Sequence, residues 1–66
     1  MQRILRILVE IRLCCSPGIE HVPALDSRLF SWIPDHEHNR ENLENAVAGA
    51  NERYGPNTHW IEQRQA

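Results

Sequence analysis

The chain has 66 residues, of which 41% are hydrophobic, and its formal net charge is −2. The apolar share is typical of a globular protein and argues against a disordered one. The slightly acidic balance argues against a general nucleic-acid binder, which would carry an excess of basic residues. We expect a single small domain over residues 1–66, and a core of this size usually needs support from a disulfide, a metal or a partner.

The two cysteines, Cys14 and Cys15, are adjacent in the chain. Neighbouring residues rarely form a disulfide with each other, because the bond requires a specific separation between the two Cα atoms. We therefore expect no internal disulfide and a location in a reducing cytoplasm. The first residues look superficially like a signal peptide, but Arg6, Glu10 and Arg12 interrupt the apolar run. No stretch approaches the ~18 apolar residues of a membrane span, so we expect no membrane association.

Residues 3–13, RILRILVEIRL, fit two structures. As a strand, they carry an apolar residue at each odd position, namely Leu5, Ile7, Val9, Ile11 and Leu13. As a helix, they carry Arg3, Arg6 and Glu10 on one face beside a broad apolar surface. No cap-forming residue precedes the segment and no glycine follows it before Gly18, so we prefer the strand and keep the helix as the alternative.

A connection over residues 14–26 follows this segment. Pro17 and Gly18 predict a turn, and Pro23 excludes a regular helix or a central strand. Residues 27–33 alternate in polarity, contain two aromatic side chains and end before a proline. This pattern predicts a short strand.

Residues 39–54 give the clearest pattern, that of an amphipathic helix. Apolar side chains recur three and four residues apart and form one stripe, made of Leu43, Ala46, Val47, Ala50 and Tyr54. Gly55 and Pro56 follow the stripe, as is typical just beyond the end of a helix. Residues 58–63 come after this turn and predict a last short strand.

The order strand, strand, helix, strand predicts an α+β fold: a small antiparallel sheet of about three strands with one amphipathic helix packed on one face. The core would combine the odd-numbered face of the first strand with Leu43 and Val47 of the helix. One of Trp60 and Ile61 would complete it. Apolar side chains on the other face of the sheet would stay partly uncovered, namely Ile4, Leu8, Phe30 and Trp32. This predicts a homodimer or another protein partner.

The tetrapeptide DHEH at residues 35–38 resembles a metal site, because it interleaves two histidines with two acids. On a helix, however, side chains two residues apart point in different directions. We interpret it as a helix start, with Asp35 as a candidate N-cap and a start nearer Asn39 equally allowed. The other potential ligands lack the cysteine and histidine spacing of structural zinc sites; they are Cys14, Cys15, His21 and His59. We expect no metal and no cofactor, and keep a zinc-stabilised domain as a third hypothesis.

No arrangement of residues predicts catalysis. Nothing in the sequence brings Cys15 close to a histidine, as a thiolate pair would require. The glycines are spread over the chain and form no phosphate-binding loop. We expect both cysteines to be inert core residues, and we expect the protein not to be an enzyme.

Binding to a protein partner is the leading functional hypothesis, because tryptophan and arginine concentrate at the centres of interfaces. The candidate contact residues are Trp32, Trp60, His59, Phe30 and Arg28. The alternative is a small nucleic-acid-binding regulator that uses Arg3, Arg6 and Arg12. In its small size and lack of a catalytic motif the chain resembles phage-encoded or mobile-element accessory proteins, a class that includes inhibitors of host defence systems. That resemblance implies an inhibitor or regulator of a larger host complex.

Overall fold

The computed structural model describes residues 8–66. Its elements are strand β1 (Val9–Cys15), a 3-10 helix (Ser27–Phe30), strand β2 (Ile33–Pro34), helix α1 (Glu37–Tyr54) and strand β3 (His59–Gln65). The strands form one antiparallel sheet in the order β2-β1-β3, and α1 packs against β1 and β3. The predicted α+β fold, with one helix on one face of a three-stranded sheet, is confirmed.

Strand β1 is the centre of the sheet, and it buries alternate side chains as its sequence predicts. Ile11 and Leu13 are 0% and 1% exposed, while Val9 is half-buried. A period of two places these residues on one face of a strand. The preference for a strand over a helix is therefore confirmed for β1, whereas Leu5 and Ile7 lie outside the described residues.

The core is thin and lies between β1, β3 and the apolar stripe of α1. Leu43 is fully buried, Ala50 is nearly so, and Val47 packs against the cluster. Ile61 also packs against this cluster, whereas Trp60 is 44% exposed. Ile61 is therefore the residue of β3 that completes the core.

The strand predicted over residues 27–33 is wrong for most of its length. The carboxylate of Asp26 accepts a hydrogen bond from the backbone N–H of Arg28 at 2.9 Å, which caps a 3-10 helix in place of the expected strand. Short polar side chains compete with a sheet ladder in this way, because they bond to their own neighbouring backbone. Only Ile33 and Pro34 pair with β1.

Helix α1 begins at Glu37, and His36 occupies the N-cap position without a side-chain cap bond. The prediction that Asp35 caps the helix is wrong, because its two carboxylate oxygens accept hydrogen bonds from Arg40 at 2.9 and 2.8 Å. The helix ends at Tyr54 and Gly55 follows it as predicted; the φ of Gly55 is 115°, and its N–H donates to the carbonyl of Asn51.

Helix α1 has charged side chains on its exposed surface, including Glu41, Glu44 and Glu52. Within residues 8–66, no helix is both long enough and apolar enough to cross a membrane.

Candidate functional site

The sheet has one face turned away from α1, which we call the open face. It carries the even-numbered side chains of β1 and β3, which lie opposite each other as the pairs Glu10–Arg64, Arg12–Glu62 and Cys14–Trp60. The two charged pairs are salt bridges, each 2.9 Å long. The open face is therefore mainly a row of side chains with alternating charge. We predicted that Phe30 lies on this face, but it packs against the core instead.

Trp32 lies between the two arginines of this row. The guanidinium carbons of Arg12 and Arg64 are 4.5 and 4.3 Å from the ring centroid. Each arginine thus makes both a carboxylate pair and a cation–π contact, and such contacts are worth roughly 0.5–1 kcal/mol at exposed sites. Trp32 is half-buried and contacts the guanidinium groups of both arginines.

Trp60 stands beside an open depression of about 480 Å³ that Cys14 and Glu62 also line. The thiol of Cys14 donates a hydrogen bond to Oε2 of Glu62 at 3.1 Å. Burial raises the pKa of Cys14, and the hydrogen bond to Glu62 adds to the effect. Cys14 is therefore a protonated donor at neutral pH, unlike a reactive thiolate.

The structure brings only some of the predicted partner-contact residues together. Trp32 and Trp60 belong to the open face, but His59 is on the helix-facing side and is only 2% exposed. Phe30 packs against the core and also lines the depression beside Trp60, whereas Arg28 is exposed on the 3-10 helix, where it pairs with Asp26. Of the arginines considered for nucleic acid, Arg12 is paired with Glu62, while Arg3 and Arg6 lie outside the described residues.

Strand β3 forms an edge of the sheet, and the direction of its backbone groups follows from its register with β1. Ser16 N–H donates to the carbonyl of Thr58 at 2.9 Å, and Ala66 N–H donates to that of Leu8 at 2.8 Å. Backbone bonds alternate along an antiparallel pair. The even-numbered residues of β3 therefore bond to β1, and the odd-numbered residues turn their N–H and C=O groups outward.

Asn51 of α1 covers the beginning of this edge. The backbone N–H of His59 donates to Asn51 Oδ1 at 2.7 Å, and Asn51 Nδ2 donates to the carbonyl of His59 at 3.1 Å. The side-chain amide thus takes the place of a neighbouring strand for one residue. Among the described residues, the edge remains open at Ile61, Gln63 and Gln65.

A second site lies on the helix-facing side, where Cys15 of β1 is directly opposite His59 of β3. The pair lies between two hydrogen-bonded positions, so the two side chains are close neighbours on one face. His21, from the loop after β1, completes a cluster in which one ligand atom of each residue lies within 4.8 Å of the others. The Nε2 atoms of His21 and His59 are 2.7 Å apart.

Thr58 fixes the tautomer of His59. Its single hydroxyl proton is donated to a carbonyl or amide oxygen, and Gly55 O is the nearest at 2.7 Å. Thr58 Oγ1 must therefore accept its 2.8 Å hydrogen bond from Nδ1–H of His59. The lone pair of His59 Nε2 then points to His21. Burial lowers the pKa of His59, and the neighbouring His21 lowers it further, so the ring is neutral at pH 7.

The last turn of α1 holds the loop that carries His21. Tyr54 Oη accepts a hydrogen bond from the backbone N–H of Val22 at 2.9 Å, and Arg53 donates to the carbonyl of Val22. The Tyr54 ring also meets the His21 ring edge-on at a centroid distance of 5.1 Å. Three contacts therefore fix the loop beside His59.

Sequence spacing missed this cluster because its members come from a strand, a loop and another strand. Comparison of the chain with protein-family models, with curated proteins and with solved structures found no match in any of the three. The site is therefore interpreted from its own geometry.

Proposed function

We propose that this protein is a small protein-interaction module that acts by binding, without catalysis, and that it assembles as a homodimer through strand β3. The observation that carries the proposal is the open edge at Ile61, Gln63 and Gln65. Unpaired N–H and C=O groups in a row are a template for another strand. A second copy of β3 offers the same groups in the complementary order.

The register of this pairing follows from the outward-facing groups. With the two-fold axis at Gln63, the two Gln63 residues form one hydrogen-bonded pair, and Ile61 of each copy pairs with Gln65 of the other. All of the outward groups at these three positions are then used. The two three-stranded sheets become one continuous sheet of six strands.

Charge complementarity supports the same register. With the axis at Gln63, Glu62 of one copy lies opposite Arg64 of the other, at a close non-hydrogen-bonded position. A shift of the axis by one residue would bring Glu62 against Glu62 or Arg64 against Arg64, and like charges in that position are destabilising. The salt bridges of the open face would then continue across the interface.

In this proposal the joined open face is the binding surface, and each copy contributes one exposed Trp60 beside its depression. The protein would regulate or inhibit a larger complex by occupying its surface. We place the module in a reducing cytoplasm, since Cys14 and Cys15 are free thiols. Nucleic-acid binding has weaker support, because Arg12 and Arg64 are already paired with carboxylates.

The test is a proline at the centre of the edge. The N–H of Gln63 points away from β1, so Gln63→Pro removes no bond of the protomer's own ladder but blocks strand addition. We expect the wild-type chain to have twice its 7.7 kDa mass by light scattering at tens of micromolar, and Gln63→Pro to be a folded monomer.

Gln63→Ala is the matched control, because it removes the same side chain and keeps the N–H. We expect it to remain a dimer. A monomeric wild-type chain, or a Gln63→Pro variant that stays dimeric with an unchanged circular dichroism spectrum, would overturn the proposal.

A further inference from the structure

We propose that Cys15, His21 and His59 bind one divalent transition-metal ion, with Zn²⁺ as the expected ion. The inference is independent of the dimer. It rests on three ligand atoms of the right types within 4.8 Å of one another, on residues that lie far apart in the sequence. Thiolate and imidazole are the ligands that zinc prefers, whereas Mg²⁺ and Ca²⁺ prefer oxygen.

The two histidine nitrogens lie near the spacing that a tetrahedral zinc site requires. Two imidazole nitrogens at ~2.05 Å from a zinc ion are about 3.3 Å apart. The Nε2 atoms of His21 and His59 are 2.7 Å apart, so binding requires them to separate by roughly 0.6 Å. A small rotation of the His21 side chain can supply this movement, while His59 is held within β3.

The surroundings of His59 match those of a metal-binding histidine. Such residues donate their other ring N–H to a fixed acceptor, which sets the tautomer and the orientation of the ring. Thr58 Oγ1 is this acceptor at 2.8 Å, and Thr58 is itself anchored to Gly55 O. The Asn51 amide bonds to both the N–H and the C=O of His59. In the metal-free protein the Nε2 lone pair of His59 accepts a hydrogen bond from Nε2–H of His21 at 2.7 Å, and binding of an ion requires His21 Nε2 to give up that proton.

Three protein ligands leave the fourth position for water or for a group from a partner. The ion would join β1, β3 and the loop that carries His21. It would tie that loop to the sheet and supply the support that so small a core needs.

The test titrates the full-length, metal-free protein with Co²⁺, in the presence of a reductant that contains no thiol. We expect one equivalent to bind, with the visible bands of tetrahedral Co²⁺ and a near-ultraviolet sulfur-to-cobalt band. One equivalent of Zn²⁺ should displace the Co²⁺, and a large excess of Mg²⁺ should not. Native mass spectrometry with Zn²⁺ should show the same stoichiometry.

Paired variants separate this site from general affinity for thiols and imidazoles. Cys15→Ser should lose the sulfur band and bind at least ~10-fold more weakly, and His21→Ala should also bind at least ~10-fold more weakly while keeping the sulfur band. The controls are Cys14→Ser on the open face and His38→Ala on α1, which should bind as the wild type does. Circular dichroism establishes beforehand that each variant is folded.

Three results would overturn the proposal. They are failure of the wild-type chain to bind one equivalent, a loss in Cys14→Ser as large as that in Cys15→Ser, and unchanged affinity in both Cys15→Ser and His21→Ala. The sulfur-to-cobalt absorption band is the decisive measurement, because a purely structural role for Cys15 would not produce it.

Discussion

Replacement of Asn51 by alanine should strongly destabilise the fold, because it leaves two backbone groups of a buried residue without a partner. His59 is 2% exposed, and its N–H and C=O both bond to the Asn51 amide. Each buried group left unpaired costs about 1–3 kcal/mol, so for two groups we expect a loss of about 2–6 kcal/mol. A domain of 66 residues has a total stability of only about 3–10 kcal/mol.

Urea unfolding followed by circular dichroism measures this loss. The slope m of a very small domain is about 1 kcal/mol/M, so the midpoint for Asn51→Ala should fall by about 2 M or more. The titrations are run with a chelator and at one protein concentration, because metal binding and dimerisation both add stability.

Asn45→Ala is the matched control, since Asn45 is an exposed residue of the same helix. It removes the same side chain and improves helix propensity, so its free energy of unfolding should stay within ~0.5 kcal/mol of the wild type. A loss below ~0.5 kcal/mol for Asn51→Ala would refute the argument that its amide replaces a strand at His59.

Three further changes test other contacts. Hydrogen bonds from Arg40 lower the pKa of Asp35, so the stabilising effect of its carboxylate is complete above the unfolded pKa of about 3.9 and is lost as pH falls through the lower folded value. Asp35→Asn should therefore flatten the dependence of the melting temperature on pH below about pH 5. Tyr54→Phe removes the acceptor of the Val22 N–H, so hydrogen exchange at that amide should accelerate while the sheet amides keep their protection. Leu43→Ala, at a fully buried site, should cost about 2–5 kcal/mol in urea unfolding, and Leu43→Met less than about 1.5.

The fold class was predictable from the sequence, because burial of one face gives a strand or a helix a regular spacing of apolar residues. Ile11 and Leu13 alternate with charged residues because β1 has one buried face, and the stripe that includes Leu43 and Ala50 repeats because α1 has one buried side. Burial of apolar side chains produces these patterns, so they can be read without knowing which element packs against which.

The hydrogen bonds that short polar side chains make with nearby groups were not predictable from the sequence. The alternation over residues 27–33 fits a strand, but the hydrogen bond between Asp26 and the Arg28 N–H favours a 3-10 turn. The bidentate bond with Arg40 likewise withdraws Asp35 from the helix cap. Each outcome depends on two side-chain rotamers that periodicity does not report.

The candidate metal cluster was even harder to predict from the sequence, because the prediction requires the register of β1 with β3. Only then does Cys15 lie opposite His59. The position of His21 depends further on the bond between Tyr54 and Val22, which joins a loop to the end of a helix. Neither the strand register nor this hydrogen bond can be inferred from the spacing of cysteine and histidine in the sequence.

The Asn51 amide has a consequence for any chain that adds to the sheet. It blocks the edge at His59, so an incoming strand has access only to residues 61–65, about 17 Å of backbone. A strand shifted towards His59 would have to displace the amide and lose the bonds that hold it. Asn51 therefore limits both the length and the alignment of a strand that can pair with the β3 edge.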